Sequence, residues 1–230
     1  MQPSSGRPGH TVVLIPAYQA EGTIESLVKA VAKMGLPVLV VDDASSDATA
    51  AVSRRAGARV LVRPSNGGKG TALRDGLAAI QGDGIPWVLT MDADGQHLPE
   101  EIPRFLQTRQ RSDADLIVGN RMGSPRGMPL DRWLTNRFMS WLISRLTGQG
   151  VPDTQCGFRL ISDRVLRRIV LTSRRFEIDS ELVVKAAWAG FRVLSVPVTS
   201  IYHRQISFIR PIRDTFRFLL FLWRLRRERP

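Results

Sequence analysis

A single cysteine, Cys156, stands among 230 residues. That excludes an intramolecular disulfide framework and fits a reducing compartment. Also missing is any uncharged apolar run of the 18 or so residues that a membrane-spanning helix needs. The longest candidate, "FLLFLW" (Phe218–Trp223), is closed in by Arg217 and Arg224. The opening "MQPSSGRPGH" has no apolar core of the kind a secretory signal requires, so a flexible N-terminus over 1–10 is expected instead. Neither G-x-x-x-x-G-K-[ST] nor G-x-G-x-x-G occurs, and no internal repeat or low-complexity linker is visible. Acidic residues are scarce in one half only. Residues 1–115 carry 12 Lys and Arg against 13 Asp and Glu, whereas residues 116–230 carry 21 against 8. The excess is almost entirely arginine, the side chain suited to bidentate contact with phosphates. Its partner is therefore anionic: nucleic acid, phospholipid or a phosphorylated substrate.

A hydrophobic content of 43% with 23% charge argues against wholesale disorder. Short β-branched runs at 11–16, 37–43, 58–63, 86–92 and 114–120 alternate with helical patterns near 20–33, 46–56, 69–81 and 99–111. Repeated strand–helix units of this sort predict an α/β fold, a mostly parallel sheet flanked by helices. In such sheets ligands bind beyond the carboxyl ends of the strands. The second half differs. Residues 130–148 read as an amphipathic helix whose Trp133, Phe138 and Trp141 are interleaved with Arg132, Arg137 and Arg145. Helix patterns follow near 163–170 and 178–189, then a strand-like 191–198, and a basic amphipathic helix closes the chain at 210–230. Arginines between aromatics favour contact with an anionic membrane surface over simple core packing.

Three segments carry candidate chemistry. In "VLTMDADGQH" an apolar run delivers Asp92, Asp94 and Gln96 at alternate positions. Such hard oxygen ligands suit Mg²⁺ or Mn²⁺ shared with substrate phosphates, although Asp-Gly alone also makes an ordinary turn. "VVDDASSDAT" likewise ends a strand in Asp42 and Asp43, which can accept from a base or ribose; Ser45 or Ser46 is placed to cap the next helix. "NGGKGTALRDG" is a Gly-rich loop entering a helix, where Lys69 and Gly70 can approach a phosphate.

Taken in order with "LIPAYQAEGTI", "GNR" and "DTQCGFR", these segments resemble family-two glycosyltransferases of the GT-A fold, the branch of dolichol- and polyprenyl-phosphate mannose synthases. The resemblance spans residues 11–205 and would leave 206–230 as a separate amphipathic tail. It implies that Pro16, Ala17, Tyr18 and Glu21 hold base and ribose, that Asp42 and Asp43 close the nucleoside pocket, and that Lys69, Gly70 and Asp92 complete the donor site. Asp92, Asp94 and Gln96 are implied metal ligands, and Asp94, Arg121 and Asp153 the catalytic set. Arg132 and Asn136 on an interfacial helix are implied to receive the acceptor phosphate, with Arg159 in the acceptor wall and Arg204 and Arg210 on a C-terminal loop.

The implied reaction is metal-dependent, inverting transfer of a hexose from a GDP-mannose- or UDP-glucose-type donor to a polyprenyl or dolichyl phosphate. The enzyme would be peripheral, at the cytoplasmic face of a membrane, with a separate membrane-protein partner as a further expectation. A phosphate acceptor is already ionised, whereas a hydroxyl acceptor requires a carboxylate base. For a hydroxyl, Asp153, Asp179 and Glu181 are the candidates, although Asp179 and Glu181 also read as the acidic first turn of a helix. His97 reads as a bystander and Cys156 as a packed core residue. A sugar-phosphate nucleotidyltransferase would need a glycine-rich N-terminal loop that "IPAYQAEGTI" does not supply, and nucleic-acid binding has no recognition motif behind it.

Overall fold

The structure is a computed structural model that describes residues 11–123, 127–199, 201 and 211–227; of 211–217 and 219 it describes the backbone alone. Seven strands form one sheet: β1 (Thr11–Ala17), β2 (Val38–Asp42), β3 (Arg59–Val62), β4 (Trp87–Thr90), β5 (Leu116–Asn120), β6 (Arg159–Ser162) and β7 (Val193–Pro197). Their order is β3-β2-β1-β4-β6-β5-β7. Every residue of β1 and β2 is buried, as expected of strands covered on both faces. The edge strand β3 is half-buried at its two middle residues and exposed at both ends.

Among the described residues eight helices accompany the sheet: α1 (Glu21–Ala32), α2 (Thr49–Arg55), α3 (Lys69–Gln81), α4 (Ile102–Arg111, entered through a 3-10 turn at Pro99–Glu101), α5 (Leu130–Thr147), α6 (Asp163–Arg168), α7 (Glu177–Trp188) and α8 (Pro211–Arg227). Helix α3 packs on β1 and β2, and α8 lies against α5 and α7. Fully buried Leu14, Ile15, Ile24, Leu89 and Ile102 lie in the core, each contributing about 1.5–3 kcal/mol by leaving water.

All neighbouring strands are parallel except β6, which runs antiparallel to both β4 and β5. The sequence reading assigns no element to 153–162; the strand there is only four residues long and takes its direction from distant partners. Its register sets Arg159 beside Thr90 and Val118. Helix α2 starts later than the expected 46, because Asp47 folds back to accept the Thr49 amide.

From β1 the chain moves outward to β2 and β3, then returns to place β4 on the other side of β1. The order therefore reverses between β1 and β4. A crevice opens at such a switch point, beyond the carboxyl ends of the strands. Tyr18 follows one of these strands and Asp92 the other.

Candidate active site

The loops after β1 and β2 are joined to each other. Gln19 donates its amide to Ser45 Oγ (3.0 Å) and its side-chain nitrogen to Ser46 Oγ (2.7 Å). The Ala20 amide reaches Thr49 Oγ1 at 2.8 Å. Glu21 accepts from the Ala48 amide at 2.9 Å and donates its own amide to Asp47 at 3.2 Å. Gln19 (φ 54°) and Ala44 (φ 58°) take left-handed backbone in this junction, a conformation costing roughly 1–3 kcal/mol each, which the surrounding bonds hold. Ser45 and Ser46 thus do not cap α2, whose N-cap residue, Ala48, offers no side-chain bond. Glu21, exposed, also ties the two loops through its Oε2. Pro16 and Ala17 are buried within β1, whereas Tyr18, 54% exposed, presents its ring at the mouth of the crevice.

Asp42 accepts from both the amide and the hydroxyl of Ser45. Asp43 takes the amides of Gly67 (3.0 Å) and Gly68 (2.7 Å) and pairs with Arg63, which also holds Asp75 at 2.7 Å. Both acids are buried. Asp43 thereby organises the Gly-rich loop that enters α3. Gly70, just inside α3, is needed for a close approach: a Cβ there would meet the backbone of Ser173 and Arg174 at 2.6 Å. The Thr71 amide donates to Arg174 O at 3.2 Å, so the loop preceding α7 is seated on the start of α3.

The turn after β4 contains both things its sequence can mean. It is a turn, with Gly95 at φ 72° and the Gln96 amide donating to Asp94 Oδ1 at 3.0 Å. It also brings two carboxylates to the crevice. Thr23 Oγ1 pins it to α1 through Ala93 O at 2.6 Å, and the Ile201 amide crosses it at Gln96 O (3.0 Å). Gly157 gives Asp92 its room, since a Cβ at that position would lie 2.5 Å from Asp92 Oδ2.

Lys69 is the hub. Its ammonium lies 2.7 Å from Asp92 Oδ1 and 2.9 Å from Asp179 Oδ2, joining the β4 turn to the first turn of α7. His97 Nε2 stands 3.7 Å from the other Asp92 oxygen, with the imidazole buried against Phe158. Burial pushes the Asp92 carboxyl up, but the Lys69 charge and the neighbouring His97 outweigh it and hold it far below the usual range. Burial would lower the Lys69 ammonium, yet Asp179 and Asp92 raise it well above the ordinary lysine value. Asp94 goes the other way, raised by burial and by the Asp92 charge. His97 is thus a neighbour of the acid cluster and no bystander.

On the other side of the crevice, Arg121 grips Asp153 with Nε at 2.7 Å and Nη2 at 3.0 Å, both side chains buried. Burial opposes the Asp153 charge, and the Arg121 guanidinium more than compensates, holding the carboxyl below its usual range. Asp153 therefore orients Arg121 and is not a free base. Arg159 is 1% exposed and donates to Cys156 O (2.6 Å), Thr154 O (2.9 Å) and Asp179 O. That overturns its placement in the acceptor wall: it is an internal strut, with Nη2 3.6 Å from Asp179 Oδ1. Glu181, fully buried, accepts the Thr172 and Ser173 amides at 2.8 Å and pairs with Lys185 at 2.7 Å, which removes it from the bases. Arg132, half-buried, and Asn136, buried, lie one turn apart on α5. Arg204 and Arg210 lie outside the described residues.

Sequence reasoning missed the Lys69–Asp179 bond, formed across 110 positions, and the space left by Gly157. The sequence adjacency of His97 to the acidic turn was the one available signal for its place.

Fold and site together define an α/β transferase built around an acidic turn at the switch point. Residues 12–170 match the family described as Glycosyl transferase family 2, and the chain belongs to that family. It is a glycosyltransferase with a GT-A-type sheet. The chain is 32% identical over 212 residues to the polyprenol monophosphomannose synthase of Mycolicibacterium smegmatis, covering 86% of this chain and 80% of that one. It is 27% identical over 213 residues to a UDP-N-acetylglucosamine–dolichyl-phosphate N-acetylglucosaminyltransferase of Methanococcus voltae, covering 83% and 85%. Among solved structures it superposes on the glucosyl-3-phosphoglycerate synthase of Mycobacterium tuberculosis in complex with uridine diphosphate at a TM-score of 0.71, with 21% identity, covering 91% and 78%.

Proposed function

We propose that the chain transfers a hexose from a nucleotide-sugar donor to a polyprenyl-type lipid phosphate, with inversion and with a divalent cation, at a membrane surface. One observation carries the choice of acceptor. Each carboxylate singled out as a base on the acceptor side is tied to a cation: Asp153 to Arg121, Asp179 to Lys69, Glu181 to Lys185. A hydroxyl acceptor would find no free base there, and a phosphate oxygen needs none. That oxygen attacks the anomeric carbon, and the bond to the nucleoside diphosphate breaks on the opposite face. One named relative is a polyprenol monophosphomannose synthase and the other a dolichyl-phosphate N-acetylglucosaminyltransferase, which supports the same reading.

The acidic turn fits Mg²⁺ or Mn²⁺. Asp92 and Asp94 sit two positions apart with Gln96 beside them, and Gly157 leaves space at Asp92. Among the described residues no three His, Cys, Asp or Glu side chains gather into a metal-holding group. Such a site relies on donor phosphates for its remaining ligands, as Mg²⁺ sites commonly do. The bound cation would supply charge compensation for the leaving diphosphate. Lys69 adds a positive charge on the same side, and Tyr18 offers an exposed ring for the base.

The surface supports the membrane. On α5, Leu130, Leu134, Phe138 and Trp141 are 46–70% exposed, while Asn136 and Ser140 face inward. Arg145 stacks on Trp141, and Arg227 on Trp223 of α8 at 3.7 Å. A cleft of about 620 Å³ between α8 and the 172–177 segment is lined by Arg174 and Arg175 of the segment and by Leu220, Phe221, Arg224 and Leu225 of α8. That pairing suits an amphiphile with an anionic head. Among the described residues no helix is long and apolar enough to cross a membrane. The test is transfer from GDP-mannose, UDP-glucose and UDP-N-acetylglucosamine to polyprenyl phosphate in vesicles, with Mn²⁺ or with chelator. Transfer that needs the lipid phosphate and stops in chelator is expected; full activity in chelator, or transfer to hydroxyl acceptors only, refutes the reading.

A further inference from the structure

The charges around Lys69 form a line: Asp92 on the β4 turn, Lys69 at the first residue of α3, Asp179 on α7, Arg159 on β6. A cation at a helix N-terminus faces the positive end of the helix dipole. The two carboxylates hold it there regardless, with only 15% of its side chain exposed. Its bond is to Asp92 Oδ1, and Asp92 Oδ2 faces His97. Protein groups therefore already stand against both oxygens of Asp92. A divalent ion that used Asp92 would have to share it with an ammonium or displace it.

We propose that Lys69 is an internal plug: it occupies the Asp92 carboxylate in the resting enzyme and is drawn off it by the donor's diphosphate, so that metal and donor bind interdependently. The inference rests on the metal-dependent reading above. Two cations on one carboxylate repel, and the effect is strong where water is excluded. A diphosphate offers the ammonium another anionic partner, and the flexible four-carbon stem lets it turn. Asp179 is the pivot. Bonded to the same ammonium at 2.9 Å, it keeps Lys69 tethered while Asp92 is released. Asp179 is thus a positioning residue, which explains why an acid expected as a helix first turn or a base is bound to a lysine. By linkage, the factor by which diphosphate strengthens metal binding equals the factor by which metal strengthens diphosphate binding.

The experiment is Mn²⁺ titration of the full chain, followed by electron paramagnetic resonance of free Mn²⁺, with and without UDP or GDP. Without nucleotide, Lys69→Met is expected to bind Mn²⁺ at least about tenfold more tightly than wild type, and the gain on adding diphosphate is expected to shrink by a similar factor. Lys69→Gln, which keeps a donor for the carboxylates, gives the same test if the methionine variant unfolds. Asp179→Asn leaves Lys69 on Asp92 alone and is expected to bind Mn²⁺ without nucleotide no better than wild type. A folded Lys69→Met or Lys69→Gln with unchanged or weaker nucleotide-free Mn²⁺ affinity overturns the plug, as does a tighter Asp179→Asn. Wild type that takes up no Mn²⁺ even with diphosphate overturns the metal-dependent reading itself, which separates the two failures.

Discussion

Replacing Asp153 with Asn tests whether the Arg121 pair is the buried clamp described. Asp153 is fully buried and accepts four hydrogen bonds, from Arg121 Nε, Arg121 Nη2, the Arg121 amide and the Gln155 amide, at 2.7–3.2 Å. The amide removes the negative charge and with it the ion pair to the buried Arg121 guanidinium, 4% exposed. Removing one partner of a buried pair costs about 3–5 kcal/mol. At about 2–4 °C per kcal/mol for a chain of this size, the melting temperature drops by roughly 6–20 °C. Urea unfolding at pH 7 measures the loss directly. The pH dependence supplies a second readout. Because the Asp153 pKa lies below its unfolded value of about 3.9, its stabilisation is complete above that value. It is lost as pH falls from there through the folded pKa. The gap between wild type and Asp153→Asn should therefore be constant near neutrality and narrow below about pH 4. A loss under 1 kcal/mol at pH 7, or a gap that widens in acid, would falsify the buried-clamp account.

Asp94→Ala is expected to cut turnover by at least about 100-fold while leaving the circular dichroism spectrum unchanged, since the acid lies on a turn and not in the core; retained turnover would remove Asp94 from the site. The double variant Leu134→Glu/Trp141→Glu alters two exposed positions and is expected to change stability by no more than about 0.5 kcal/mol each. Sedimentation with anionic vesicles should nevertheless fall at least severalfold, and unchanged sedimentation would show that α5 does not face lipid. Burial pushes the Cys156 thiol up to about 12, so a thiol reagent is expected to leave it unlabelled in the native protein at pH 8 and to label it in urea.

The acids at the ends of β2 and β4 were legible because an apolar run followed by Asp is a local pattern. So were the units feeding the sheet, with boundaries shifting by a few residues. Strand β6 was not legible: "RLIS" is short and carries a charged residue whose burial depends on carbonyls of 154, 156 and 179. Ser45 and Ser46 looked like caps because capping is a near-neighbour pattern, whereas their partner, Gln19, lies 26–27 positions away. Donor and acceptor roles failed to separate cleanly for the same reason. Sequence shows which groups are charged, and only the fold shows which of them already have partners, as with Asp43, Asp153 and Arg159.

Five hydrogen bonds join the segment after β1 to the segment after β2, so the two behave as one body. Their ordering happens when the chain folds, before any ligand arrives. A ligand landing there loses its own freedom but does not have to immobilise the platform, which raises the affinity obtained from each contact. It also limits adaptation. Changing the preferred base by substitutions inside this junction would loosen both segments at once, whereas changes at the exposed Tyr18 leave the junction whole. If the proposed donor binds at this platform, its preference is most open to alteration at the rim and least open within.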